Sequence, residues 1–144
     1  MLYGVVISGK DEEINTLSYY GLCILDDLTI GEAKLKENYV DIPGANGSLN
    51  LSYAPQGYAV YEDREISFTL FKGIDDVALE TIRAELANSF HGQEVNLILP
   101  NDLNSYWTGV IQFGAMSGYN SGKIPVKFRA QPYKTNYSTG AKSL

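Results

Sequence analysis

One histidine stands in the whole chain, His91, so hydrolysis by a Ser-His or Cys-His pair would have to run through it. It lies in Ser89-Phe90-His91-Gly92, at the foot of a run with helical spacing, where ending or packing a helix suits it better than catalysis. The only cysteine, Cys23, sits in the apolar stretch Gly21-Leu22-Cys23-Ile24-Leu25; one thiol closes no internal disulfide and reads as a small buried hydrophobe. Metal binding would fall to carboxylates, but the doublets Asp26-Asp27 and Asp75-Asp76 lack the alternating oxygen spacing and closing Glu of a calcium loop. Turn and helix-cap roles account for both. Gly118-Tyr119-Asn120-Ser121-Gly122-Lys123 approaches a phosphate loop but has one residue too few between its glycines and Ile124 where a hydroxyl should follow, so it reads as a hairpin turn. Nothing singles out a carboxylate pair for glycoside hydrolysis. No catalytic residue, metal ligand or cofactor site is assigned.

The aromatic residues are harder to set aside. Eleven tyrosines and Trp107 on a β framework could stack on sugar faces, which makes a carbohydrate-binding module the competing reading. Tyrosine is equally a strand and interface residue, burying its ring while its hydroxyl finds a partner. Tyr53, Pro55, Gly57, Tyr58 and Tyr61 share one segment that reads as a long hairpin or arm, suited to binding a neighbouring protein at least as well as a sugar.

The elements that must carry these residues are mostly strands. At 144 residues the chain fits one domain able to bury its own core. Period-two alternation recurs in Tyr3-Val5-Ile7, Ile66-Phe68-Leu70, Val95-Leu97-Leu99, Trp107-Ile111-Phe113 and Ile124-Val126-Phe128-Ala130. One stretch differs. Over 77–90, Leu79, Ile82, Leu86 and Phe90 fall three and four apart, the stripe of an amphipathic helix, with Asp75 or Asp76 as its cap and Gly92 as its stop. Many strands and one helix predict a β-sandwich or partly closed barrel, with the helix covering one face or an open end. Between Tyr39 and Ser52, Ile42, Pro43, Gly44, Asn46 and Gly47 supply turn chemistry rather than convergent ligand groups, so they are expected to shape a connection between two strands.

Charge sets further bounds. The net charge of -6 argues against a nucleic-acid binder with a cationic face. Residues 1–100 hold 16 acidic and 6 basic side chains, net -10, and residues 101–144 hold 1 and 5, net +4, a split that local solvated surfaces explain and that also suits unlike faces pairing between copies. No apolar run approaches the roughly 20 residues that span a bilayer, and no charged-then-apolar leader opens the sequence, so synthesis in a reducing cytoplasm is expected. Without such a leader, the glycosylation patterns at Asn46, Asn50 and Asn136 carry little weight.

Taken in order, several pieces resemble the N-terminal, ring-forming domain of the distal tail proteins of long-tailed bacteriophages and prophages. They are Ser8-Gly9-Lys10, Tyr20-Gly21-Leu22, Tyr39-Val40-Asp41-Ile42-Pro43-Gly44-Ala45-Asn46-Gly47 followed by Leu49-Asn50-Leu51, and Tyr61 with Arg64 ahead of Phe68. Then come the helix closing on His91-Gly92, Leu99-Pro100-Asn101-Asp102, Tyr106-Trp107-Thr108-Gly109, and Pro132-Tyr133-Lys134. Asn50 departs from the acidic residue often found there, and the chain stops soon after Lys134, where many members continue into a second β-sandwich. The resemblance implies a tail-tube-protein-like β-sandwich over 1–134 with a flanking helix and an extended hairpin, then a polar tail or linker start over 135–144. It implies a non-enzymatic siphophage-like role: a homo-hexameric ring at the virion tail tip, assembled in the host cytoplasm. The ring would join the tail tube protein to the baseplate hub protein and receptor-binding proteins. Tape-measure protein and DNA would pass through its centre, with no specific DNA binding, membrane insertion or cofactor.

Overall fold

Ile66, Phe68 and Leu70 alternate with Ser67 and Thr69, and a pleated strand turns that pattern into one buried and one outer face. The computed structural model describes residues 3–36, 39–41, 43–44, 46–50, 60–72, 79–115 and 122–144. Its elements in chain order are β1 (Val6–Ser8), β2 (Glu13–Asn15), α1 (Thr16–Tyr20), β3 (Cys23–Ile24), β4 (Thr29–Ile30), β5 (Tyr39–Asp41), β6 (Ser48–Asn50) and β7 (Arg64–Phe71). After these come α2 (Leu79–Phe90), β8 (Glu94–Ile98), β9 (Ser105–Phe113), β10 (Lys123–Ala130), β11 (Lys134–Asn136) and β12 (Lys142–Ser143).

The fold is mainly β with a flanking helix, as the alternation predicts. Ten strands form one sheet along β2-β1-β8-β9-β10-β7-β3, with β4 on β7 and β11–β12 on β9. Its ends meet. β3 pairs with β7 on one side, and on the other the Ile24 N–H donates to the Tyr3 carbonyl at 2.7 Å, just ahead of β1. The opposed layers of the expected sandwich are therefore parts of one sheet curling toward closure.

Inside the curl lie Val5, Ile7, Ile66, Phe68, Leu70, Val95, Leu97, Trp107, Ile111, Ile124, Val126 and Phe128, all on the inward register. Leu79, Ile82, Leu86 and Phe90 of α2 join the same core, the stripe that their spacing marks. Each fully buried large apolar side chain is worth about 1.5–3 kcal/mol over an exposed one, so this shared interior dominates the stability. β9 and β10 approach each other very closely at Gly109: a Cβ there would fall 2.0 Å from the Arg129 carbonyl oxygen.

Two local features depart from the reading of one helix and a polar tail. Thr16–Tyr20 is a second, five-residue helix, begun by the Asn15 side chain accepting from the Leu17 and Ser18 N–H groups and closed at Gly21. Thr16, its first residue, is fully buried; its hydroxyl accepts from the Val5 N–H at 3.0 Å and donates to the Leu22 carbonyl at 3.2 Å, which fastens α1 to the chain entering β1. The stretch 135–144, expected as a polar tail, is polar and largely exposed, yet its start belongs to the sheet: Thr135 and Asn136 pair with Tyr106 and Ser105 of β9, and Lys142 pairs back on Thr135. Backbone pairing, which polar side chains do not advertise, holds it.

Candidate assembly surface

The β5–β6 hairpin stands apart from the main sheet as a two-stranded unit in the register Tyr39↔Asn50, Val40↔Leu49 and Asp41↔Ser48. The Ser48 hydroxyl also donates to the Asp41 carboxylate across it. Between the strands Gly44 and Gly47 take φ values of 79° and 75°, a conformation open to glycine and costly for other residues. Pro43 and Asn46 are exposed beside them, and Ile42 lies outside the described residues. At the foot of this excursion the Lys36 N–H donates to the Val60 carbonyl at 2.9 Å and the Glu62 N–H to the Lys34 carbonyl at 2.7 Å, so the chain leaves and rejoins the barrel as a paired ribbon. Of the proposed arm, only Tyr61 is described, bridged to Leu35; Tyr53, Pro55, Gly57 and Tyr58 lie outside the described residues.

The remaining motif positions meet one another in space. Arg64 stacks its guanidinium 4.9 Å from the centre of the Trp107 ring while its Nε donates to the Gly31 carbonyl at 2.8 Å. The Tyr133 ring meets Tyr61 edge-on at 6.0 Å, and next to it Lys134 pairs with Asp102 at 2.9 Å. Lys134, and after it the Asn104 N–H, hold the Asp102 carboxyl below the usual carboxylate range. Pro132 is half-buried in the bend before them. Thus Tyr133 and Lys134 tie this bend both to the ribbon at Tyr61 and to the turn before β9.

His91 has a structural task. The Gly92 N–H donates to the Ile111 carbonyl at 2.8 Å, the Ile111 N–H donates back to Gln93, and the Phe113 N–H donates to His91 Nδ1 at 3.1 Å. The imidazole thus supplies one more rung to the β8–β9 ladder where its backbone runs out. Gly92, at φ 75°, turns the chain from α2 into that ladder. Beyond sequence reach are Asp27, whose carboxylate takes both the N–H and the hydroxyl of Thr69, and Tyr20, where burial and a hydrogen bond to Glu85 push the hydroxyl up to about 12. Their partners lie far along the chain, and spacing does not reveal them.

The geometry bears on chemistry as well. Among the described residues, a hollow of about 850 Å3 is an open groove lined by charges of both signs, among them Lys36, Glu62, Asp63, Glu65, Lys127 and Arg129. Among the described residues no group of three or more His, Cys, Asp or Glu side chains is placed to hold a metal ion, and no helix is long and apolar enough to cross a membrane. Trp107 is only 5 % exposed, packed in the core beneath Arg64, and offers no sugar platform, contrary to the competing reading. Among the described residues, Tyr3, Tyr19 and Tyr137 are each more than half open, and Tyr133 is exposed to a lesser degree.

The backbone as a whole superposes on the crystal structure of the SPP1 Dit (gp 19.1) protein, a hub adsorption apparatus protein of phages infecting Gram-positive bacteria, with a TM-score of 0.59. The fold is similar to that of the SPP1 Dit protein. The match takes in 92 % of this chain at 14 % identity, and 52 % of the SPP1 chain, so this chain spans about half the length of that protein. A chain from the virion of a native gene transfer agent particle is also similar, at 12 % identity over 88 % of each chain and a TM-score of 0.41. Neither family models nor curated proteins match the sequence.

Proposed function

We propose that the protein is a structural component of a phage tail: a subunit of a six-membered ring that joins the tail tube to the baseplate hub and leaves an open centre for tape-measure protein and DNA. The observation that carries this reading is the superposition of nearly the whole chain on a distal tail protein, in a molecule whose motif residues contact one another as framework. His91, the only histidine, is occupied as a strand partner, and Arg64 as a cover for Trp107. Rings of identical subunits close by heterologous contacts, each subunit offering two different complementary surfaces. The paired ribbon at 34–36 and 60–62 is the base of one such surface, and the arm of Tyr53, Pro55, Gly57, Tyr58 and Tyr61 is its extension. In the virion this subunit contacts the tube protein above and the hub protein, with its receptor-binding proteins, below. The test is reconstitution: the purified chain mixed with a cognate tail tube protein should cap tube ends in electron micrographs, and tubes that stay bare at every ratio would refute the reading.

A further inference from the structure

The fold holds its asparagines unequally. Asn15 Oδ1 accepts from two N–H groups at the start of α1, Asn96 Oδ1 from the Thr108 hydroxyl at 2.8 Å, and Asn136 Oδ1 from the Ser138 and Thr139 N–H groups at 2.9 and 3.1 Å. The backbone N–H following an asparagine is held as well: Asp102, after Asn101, donates to the Leu99 carbonyl, and Tyr137, after Asn136, donates to Asn104. Asn46 differs in every one of these respects. Among the described residues nothing hydrogen-bonds its amide or the N–H of Gly47. Both residues are exposed, Gly47 adds no side chain, and a Cβ built there would meet nothing within 4 Å. Asn46 is also the one asparagine of the chain followed by glycine.

An amide in that setting reacts with its own backbone. When the Gly47 N–H loses its proton, the nitrogen attacks Asn46 Cγ; a Cγ–N bond forms, the Cγ–Nδ2 bond breaks, and ammonia leaves with the proton. The product is a five-membered cyclic imide. Water then opens the ring. Attack at Cγ regenerates the ordinary backbone with aspartate at position 46, and attack at the main-chain carbonyl gives isoaspartate, with the chain routed through Cγ. Water is the only co-reactant, and no electron changes hands. Glycine favours the first step because no Cβ obstructs the approach, and asparagine is among the residues that heat and time degrade.

We infer that Asn46 is a spontaneous deamidation site, held open by the fold at the tip of the β5–β6 hairpin. Conversion changes the net charge from -6 to -7 and sets a second carboxylate in the connection that already begins at Asp41. Isoaspartate goes further, lengthening the backbone by one methylene between Asp41 and Ser48. Hairpin register depends on the length and type of its turn, so the Asp41↔Ser48 pairing is the contact it disturbs. The site is independent of any role in a tail.

The experiment is a timed incubation of the intact protein in mildly alkaline buffer, folded and in urea, followed by proteolysis and mass spectrometry. A conversion adds about one dalton to its peptide. Peptide 37–64 should gain that mass at a similar rate in both conditions, with isoaspartate as a distinct product, while the peptides of Asn96 and Asn136 should convert in urea only. Asn46→Ser should abolish the gain in that peptide. If Asn46 is protected by folding as strongly as Asn136, or if another asparagine of the folded protein converts first, the inference is overturned.

Discussion

His91 bonds as a piece of backbone would, and that makes its replacement diagnostic. His91→Ala leaves the Phe113 N–H without its acceptor and should cost on the order of 1 kcal/mol. His91→Asn places an oxygen close to where Nδ1 sits and should recover most of that loss, while His91→Gln, whose acceptor is displaced, should not; urea unfolding midpoints compare the three. The Asp102–Lys134 pair gives a pH signature. Because the folded carboxyl titrates below its ordinary 3.8, its stabilisation is complete above that value and is lost as pH falls through the depressed one. Asp102→Asn should therefore flatten the acid limb of the stability curve and lower the neutral plateau by the same small amount, since a pair partly open to water contributes little. Equal slopes in acid for the parent and the variant would show that the pair does not act in this way.

At the scale of elements, the closest approach between strands sits at Gly109, where β9 and β10 leave no room for a side chain. Gly109→Ala forces the strands apart and should destabilise by about 1–3 kcal/mol, the usual range for overpacking, measured by thermal or urea unfolding. A neutral result would mean that the two strands separate freely. Elements of this kind were legible in unequal measure. The strands around Ile66 and Ile124 declare themselves because one face is buried, and α2 because its stripe recurs at three and four residues. Helix α1 is hidden by its length: five residues carry no stripe, and the Asn15 cap and Gly21 stop are too common to announce one. Strands β3 and β4 are two residues each, and β12 exposes both its residues, so none shows alternation. For the candidate surface, the turn residues could be read from their types, whereas the meeting of Tyr61 with Tyr133 or Arg64 with Trp107 depends on which strands become neighbours.

For the whole molecule, the proposed function gives the curled sheet and the hairpin excursion separate duties. Among the described residues the apolar cluster draws on β1, β7, β8, β9, β10 and α2, and the β5–β6 unit forms its own small sheet. Shortening the stretch from Tyr53 to Tyr61 should consequently leave monomer unfolding almost unchanged while weakening subunit association. Sedimentation across concentration separates the two effects, and loss of monomer stability with intact association would reverse the assignment. Ring formation itself is tested most directly by light scattering over a concentration series with negative-stain imaging of the same sample. Six-membered rings with an open centre are the predicted result. A monomer, or a closed two-fold dimer, at every concentration would contradict the account.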